Sequence, residues 1–451
     1  AGSIASLAIT AEGNPTYGLI DLGGKQSVRT YDLRARSESV VAEGTIALPP
    51  AQNVDTASMR TRVDLRAEWR QIFDDVWREY RDFFYAPKVP LADWPQVKRR
   101  YAPLLERCRT REEVNLVLAE MIGESSVGHA YLASRGDVAS QPRSDAAALG
   151  AELVADRGAF RIARIVRTAP WDDELRAPLR DVAEGEYLLA VNGKPLDAAQ
   201  DPRAALAGSA GKEIQITVGP QPAIDAAARV LTVTPLASEN ELRQRAWVES
   251  NRRRVEEASG GRVGYVHIPA FNQSGFSDLA RQYYGQIDKE ALLIDARWSQ
   301  GGSTGAIVAE LLARRPLNYY ATRGSSEPAS SPTYGAHFGP KALLVNHITI
   351  SAGENFAFYF RKLALGPLVG SRTWGGFTGL NPVPALIDGG SVNVPNAPFL
   401  DETGWMAEGE GLGPDIVVTR DPAARSDAQL DAAVQALMAK LPSERKPVRV
   451  P

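Results

Sequence analysis

The sequence predicts an α/β protein: a βαβ core with a largely parallel sheet, a helical subdomain ahead of it, and a β-rich domain inserted between the two. Three observations carry this prediction. Between residues 262 and 370, short apolar runs alternate with amphipathic stretches of helical spacing, the order that lays strands side by side with helices across the faces. Residues 64–123 carry helical spacing. Residues 147–237 carry short strand patterns joined by turn signals.

Taken in order, residues 4–48 alternate as short strands, IASLAIT, TYGLIDLGG and SVRTYDL, broken by Gly and Asn. A strand set without a helix reads as the last piece of a β-rich domain lying upstream, and LPPAQNVD at 48–55 as a linker. From Asp64, residues Leu65, Trp69, Ile72, Phe73, Val76, Trp77 and Tyr80 fall at helical spacing, with Asp and Arg on the other face. Helices follow at about 94–107 and 111–123, the second opened by Thr110 with Glu113 three positions on. In the β-rich stretch FRIARIV, EYLLAVNG, EIQITV and RVLTVTPL are strand patterns, and Asn192-Gly193 marks a tight turn. A helix over about 240–257 leads out of it. The core then reads RVGYVHI (strand), FSDLARQYYGQI (helix), EALLIDARW (strand), STGAIVAELLARR (helix), KALLVNH (strand), GENFAFYFRKLA (helix) and GPLVG (strand). A last helix, about 427–441, places Leu430, Ala433, Val434, Leu437 and Met438 on one face.

The 451 residues are enough for two to four domains, and 44% hydrophobic with 23% charged residues is ordinary for a globular chain. The net charge of −3, from 51 basic and 54 acidic side chains without one-sign blocks, gives no electrostatic case for nucleic acid or an anionic membrane. No apolar stretch approaches a membrane span. The lone Cys108 has no internal disulfide partner. The chain opens Ala-Gly-Ser without Met or a signal peptide, and we read it as a piece or processed product of something longer. Neither a His-Glu-x-x-His pattern, paired cysteines, nor a dinucleotide or Walker fingerprint occurs, so no metal and no cofactor is expected.

In a parallel sheet, ligand sites gather at the carboxyl ends of the strands. Two loops stand out there. In DARWSQGGST, Gly301 and Gly302 precede a helix; paired glycines let backbone N–H groups approach a ligand, and the helix start favours negative charge. That suits an oxyanion hole or a phosphate site, and equally a plain tight turn. In NHITISAGENF, Ser351 lies between an apolar strand and a helix. A serine there is commonly a helix N-cap; as a nucleophile it would gain from the helix dipole and the Ala352 N–H. Thr349 stands where the α/β-hydrolase elbow has Gly. A serine nucleophile needs a base, and the chain has four histidines, His129, His267, His337 and His347. His267 sits within a strand, as a core residue would. His347 lies on the strand side of Ser351, and His129 follows a helix in SSVGHAYL.

The ordered set of blocks resembles the C-terminal half of tricorn proteases, relatives of the C-terminal processing peptidases. The blocks are EWRQIFDDVWREYRDFFY at 68–85, GHAY at 128–131, GRVGYVHIP at 261–269, DARWSQGG at 295–302, ISAGENFAFYF at 350–360, LGPLVGSRTWGGFTG at 365–379 and AEGEGLGPDIVV at 407–418. The resemblance implies a serine endopeptidase acting on oligopeptides, with Ser351 as nucleophile, His129 as base and Glu408 as the acid orienting the histidine. It assigns the oxyanion hole to the N–H groups of Gly302 and Ala352 and the specificity pocket to Tyr320. It also implies a crotonase/Clp-like catalytic core, and makes the β-rich insert PDZ-like.

The domain organisation that follows is 1–50, remnant of an upstream β-propeller; 60–140, helical catalytic subdomain carrying the base; 147–237, PDZ-like; 238–422, α/β catalytic core; and 423–451, C-terminal helix and tail. A homo-hexamer in the cytoplasm is implied too, with export the alternative for bacterial relatives. Three departures stand out. Gly128 occupies the position of the family's relay serine, leaving Ser126, a water or a shorter relay. Tyr320 replaces an acidic pocket residue, which points to an apolar or aromatic P1. Lys362 lies inside a helix, unlike the lysine of the Ser–Lys peptidases. Two other readings remain open: a catalytically weak peptide-binding protein on the same fold, and a crotonase-like acyl enzyme.

Overall fold

The computed structural model describes residues 62–86, 93–138, 147–169, 177–320, 333, 335–405, 408–421, 423–424 and 426–443, together with the backbone of four strands before them. Those strands, β1 (Ser3–Ile9), β2 (Pro15–Ile20), β3 (Gln26–Asp32) and β4 (Ser37–Glu43), form an antiparallel meander within a unit of its own, Ala1–Asp64. The expected linker at 48–55 lies outside the described residues.

The second unit, Leu65–Pro451, opens with three helices, α1 (Leu65–Phe83), α2 (Trp94–Leu105) and α3 (Arg111–Gly123). Their periodic apolar residues close one core around Trp69, Ile72, Val76, Tyr80, Leu118 and Ile122. Thr110 caps α3 by accepting the Glu113 N–H at 3.2 Å, which satisfies one of the donors a helix start leaves open. After α3 comes the short β5 (Tyr131–Ser134).

The β-rich stretch folds as an antiparallel sheet in the order β11-β10-β8-β7-β6, with β9 beside β8. Its strands are β6 (Ala151–Asp156), β7 (Ala159–Ile165), β8 (Tyr187–Val191), β9 (Lys194–Pro195), β10 (Ile214–Gly219) and β11 (Arg229–Val233). Asn192 and Gly193 turn β8 into β9, both at positive φ (48° and 75°), as a two-residue hairpin of the primed kind demands. Ala148 and Leu236 exchange N–H···O bonds of 2.9 and 2.8 Å and so close the ends of this domain against each other.

The remaining elements are α4 (Asn240–Ser259), β12 (Val263–His267), α5 (Gln273–Tyr284), β13 (Ala291–Asp295), α6 (Gly305–Ala313), β14 (Lys341–Val345), α7 (Ala352–Lys362), β15 (Leu368–Gly370), β16 (Ser391–Asn393), β17 (Leu400–Asp401), β18 (Gly404–Trp405), β19 (Ile416–Val417) and α8 (Ala428–Met438). Strands β12, β13, β14, β15 and β19 lie in that order, all parallel. Alternate residues feed two cores. Leu292, Ile294, Leu343 and Val345 pack with α5, α6 and α7. Leu293, Ala291, Ala342 and Leu344 pack with α4 and α8. Both faces are covered, which is why these strands read as continuous apolar runs. Strand β16 pairs with β5, 257 positions apart at Ser134 and Ser391, and so ties the helical region to the end of the chain. No helix among the described residues is long and apolar enough to cross a membrane.

Candidate active site

The loops following β13 and β14 are laced together at the carboxyl edge of the sheet. Thr349 Oγ1 donates to Ala296 O at 2.9 Å and accepts the Asn346 N–H at 3.0 Å. Asn346 Oδ1 accepts from Trp298 N at 3.2 Å and from Ile348 N at 3.1 Å. The Thr349 hydroxyl thereby ties the turn after β14 to the loop after β13. Ser351 follows at φ 54°, ψ −122°, a region costly to a residue with a Cβ. Glu354 secures it, accepting the Ser351 N–H at 3.3 Å, while the Glu354 N–H donates to Ser351 O at 2.8 Å.

The glycine loop faces this serine. A Cβ on Gly301 would come within 2.7 Å of Ser351 Cβ and 3.1 Å of its Oγ. Gly302 has φ 134°, and a Cβ there would meet Phe271 O at 2.2 Å, so no other residue fits this turn. The neighbouring Ser303 and Thr304 N–H groups donate to Phe271 O at 2.7 and 2.9 Å, whereas the Gly302 N–H has no backbone acceptor among the described residues. Ala352 opens α7, where helix amides lack intrahelical partners and the dipole favours negative charge.

His129 and Glu408 come together around a different segment, 373–378. Glu408 Oε2 accepts the N–H groups of Phe377 at 2.9 Å and Thr378 at 2.8 Å, and Oε1 accepts the Gly128 N–H at 3.3 Å. His129 is buried, its Nδ1 without a hydrogen-bond partner. Its ring meets Trp374 edge to face, with centroids 5.2 Å apart. Burial holds the His129 pKa below its ordinary 6.5, opposed by the charge of Glu408. Ser126 is exposed, and it is the Gly128 amide that meets the carboxylate. Among the described residues no hydrogen bond joins His129 to Ser351 or to Glu408.

The same segment reaches the serine. Glu354, fully buried, accepts from Thr373 Oγ1 at 2.5 Å, Gly375 N at 2.6 Å and Gly376 N at 2.7 Å. The Trp374 N–H donates to Thr349 O at 3.2 Å. Residues 373–378 thus bridge the Ser351 turn and the His129–Glu408 pair. Sequence reasoning missed Glu354 and Trp374. The signal for Glu354 was present in Ser351-x-x-Glu354 ahead of an apolar run, the capping-box pattern. Tyr320 is exposed (66%), and no hydrogen bond or ring contact among the described residues ties it to the others. His267 lies buried in β12 against Trp247, His337 binds Lys289 O at 2.8 Å, and His347 is exposed.

Three family models match the chain: the tricorn protease C1 domain at 65–123, the tricorn protease PDZ domain at 147–238, and peptidase family S41 at 262–418. Tricorn protease homolog 1 of Streptomyces coelicolor is 36% identical over 407 residues, 88% of this chain and 37% of that protein. The tricorn protease of Thermoplasma volcanium is 28% identical over 399 residues, 86% of this chain and 38% of that protein. A crystal structure of the tricorn protease superposes with a TM-score of 0.78 at 25% identity, covering 97% of this chain and 41% of that one. The α/β core is thus an S41 serine peptidase domain. The chain belongs to the tricorn proteases as a C-terminal region with C1, PDZ and S41 domains, related to the carboxyl-terminal-processing proteases. It spans less than half the length of these relatives.

Proposed function

We propose that this region hydrolyses peptide bonds through an acyl-enzyme on Ser351, with His129 as general base. The observation that carries the reading is the Ser351 turn: a non-glycine residue at φ 54° on a helix start, its side chain facing a glycine where any Cβ would collide. In this scheme His129 takes the hydroxyl proton as Ser351 Oγ attacks the carbonyl carbon. The Gly302 and Ala352 N–H groups receive the oxyanion. The proton passes to the leaving amine, and water then releases the acyl group by the same steps. Glu408 holds the histidine segment. Tyr320 is proposed as the specificity residue, favouring apolar or aromatic P1 side chains.

For the whole protein, oligopeptides are the proposed substrates, and the four-stranded meander β1–β4 supports reading residues 1–50 as a propeller blade. A homo-hexamer is the matching assembly, checked by light scattering of the full-length chain. The test of the chemistry is a peptide-library digest read by mass spectrometry, alongside fluorophosphonate labelling. Parent protein should cleave and take up one label per chain, and Ser351→Ala should do neither. Equal cleavage by both removes Ser351 as nucleophile. The second reading, a peptide-binding protein of weak activity, is favoured by the missing hydrogen bond between His129 and Ser351. It predicts peptide binding without labelling. Apo catalytic hydrogen bonds commonly tighten only with substrate, so the peptidase reading stands first.

A further inference from the structure

The glycine at 128 is not demanded by its own backbone, because it lies outside the positive-φ glycines. It is demanded by Trp374. A Cβ on Gly128 would come within 2.8 Å of Trp374 Cη2 and 3.1 Å of Cζ2 and Cζ3. Gly376, also outside the positive-φ set, meets the other part of the same ring: a Cβ there would lie 2.3 Å from Trp374 Cζ3. The indole therefore occupies a slot that two glycines keep open, and it presents itself to the ring of His129. Its backbone is pinned from both sides. Thr349 O and the Glu354 carboxylate hold it on the serine side, and the Glu408 carboxylate binds Phe377 and Thr378 just beyond. That second carboxylate also takes the Gly128 amide.

We propose that Trp374 is a positioning residue for His129, matched to Gly128, and that Glu408 acts on the histidine through the Gly128 backbone amide rather than through a side-chain relay. The effect on catalysis rests on the peptidase reading above; the positioning itself does not. A side chain at 128 fills the space of the indole, so a hydroxyl introduced there displaces the ring before it can bridge Glu408 and His129. Among the described residues the charged group acting on His129 is Glu408, and Tyr85 faces that same carboxylate. The segment carrying Trp374 brings no ionisable side chain to the histidine, only an apolar ring that covers one side of the imidazole while itself staying 39% exposed.

The test is a double-mutant cycle in the full chain between Gly128→Ser and Trp374→Leu, read by kcat, KM and an NMR titration of His129 assigned with His129→Gln. Gly128→Ser alone should lower kcat roughly 10- to 100-fold, the scale of a misplaced catalytic group, with KM held to about twofold. In the Trp374→Leu background the same substitution should cost no more than about threefold, the signature of coupled neighbours. Trp374→Leu should move the His129 titration midpoint upward, toward that of a solvated imidazole, by about half a pH unit or more. The acid limb of kcat/KM should follow it upward, which a general loss of folded protein would not produce. If Gly128→Ser does not fold, Gly128→Ala adds the colliding Cβ alone and is read in its place.

Equal costs of the position-128 change in both backgrounds overturn the match. So does a gain of activity on Gly128→Ser in the parent, which would show a side-chain relay being restored. An unmoved His129 midpoint overturns the positioning role of Trp374. The NMR midpoint is independent of Ser351. A protein in which Ser351→Ala still cleaves therefore loses the peptidase reading while the positioning claim is judged separately.

Discussion

Ser351 keeps a strained backbone because its surroundings leave no other. Glu354 is the chief of these, a carboxylate with four donors around it: the Thr373 hydroxyl and the N–H groups of Ser351, Gly375 and Gly376. Burial pushes the carboxyl above its ordinary range, and the four donors work against that. An amide in its place would aim an N–H at another N–H. We expect Glu354→Gln to slow fluorophosphonate labelling of Ser351 roughly 10-fold or more, the cost of lost placement, and to lower stability by about 2–3 kcal/mol, as for a buried group left unsatisfied. Labelling at the parental rate would remove Glu354 from the positioning of the serine. At this scale the sequence was partly legible. Ser351 and the glycine pair stand out as residue types at strand ends, but Trp374 has no local pattern. Its role arises from contact with residues some 246 positions away, at Gly128.

Among the elements, the long helices were the easiest to read, since their apolar period survives from sequence to core. Helix α1 buries Trp69, Ile72, Phe73, Val76 and Tyr80 of the predicted face, while Trp77 is half-buried and Leu65, in the first turn, is exposed. The same face also buries Glu79, whose Oε2 has no hydrogen-bond partner. Burial, with Asp75 one turn back, raises its carboxyl to about 7. A raised carboxyl means the folded state holds the proton more tightly than the unfolded one. Stability is then full at acid pH and falls as pH rises from the ordinary 4.5 through about 7. Glu79→Gln should be near neutral at pH 5 and stabilising by about 2 kcal/mol at pH 8.5, read by denaturant unfolding at both values. An equal effect at the two pH values would place the charge elsewhere. Short strands were the illegible elements. Strands β16 and β19, three and two residues long, are too short to show a period of two, and their partners β5 and β15 are distant or apolar for other reasons.

At the scale of the whole second unit, a buried cation ties distant elements together. Arg297, on the loop after β13, pairs with Asp295 at 2.7 Å and with Asp427 at 2.8 Å, the residue that caps α8. Trp247 and Trp298 lie within 5.9 and 5.0 Å of its guanidinium. The C-terminal helix is thereby fixed to the centre of the sheet and to the loop that carries Gly301 and Gly302. Arg297→Met would leave Asp295 buried without its partner. We expect a loss of about 3–5 kcal/mol, the cost of breaking a buried pair from one side, with a lower thermal midpoint by calorimetry. A loss under about 1 kcal/mol would mean that the pair contributes little to the fold. None of this is legible in the sequence, because Arg297 and the Asp427 it meets lie 130 positions apart and share no local pattern.

The clasp between Ala148 and Leu236 has a further bearing on how such a molecule comes to be assembled. With both ends of the PDZ domain meeting at one place, the chain leaves and re-enters the host together, and Leu242 and Ala246 of α4 close the core of the domain from the host side. Chain-closure entropy grows only as the logarithm of the loop, about 0.6 kcal/mol for each doubling. The segment bearing His129 and the segment bearing Ser351 can therefore be interrupted by a whole module and still find each other.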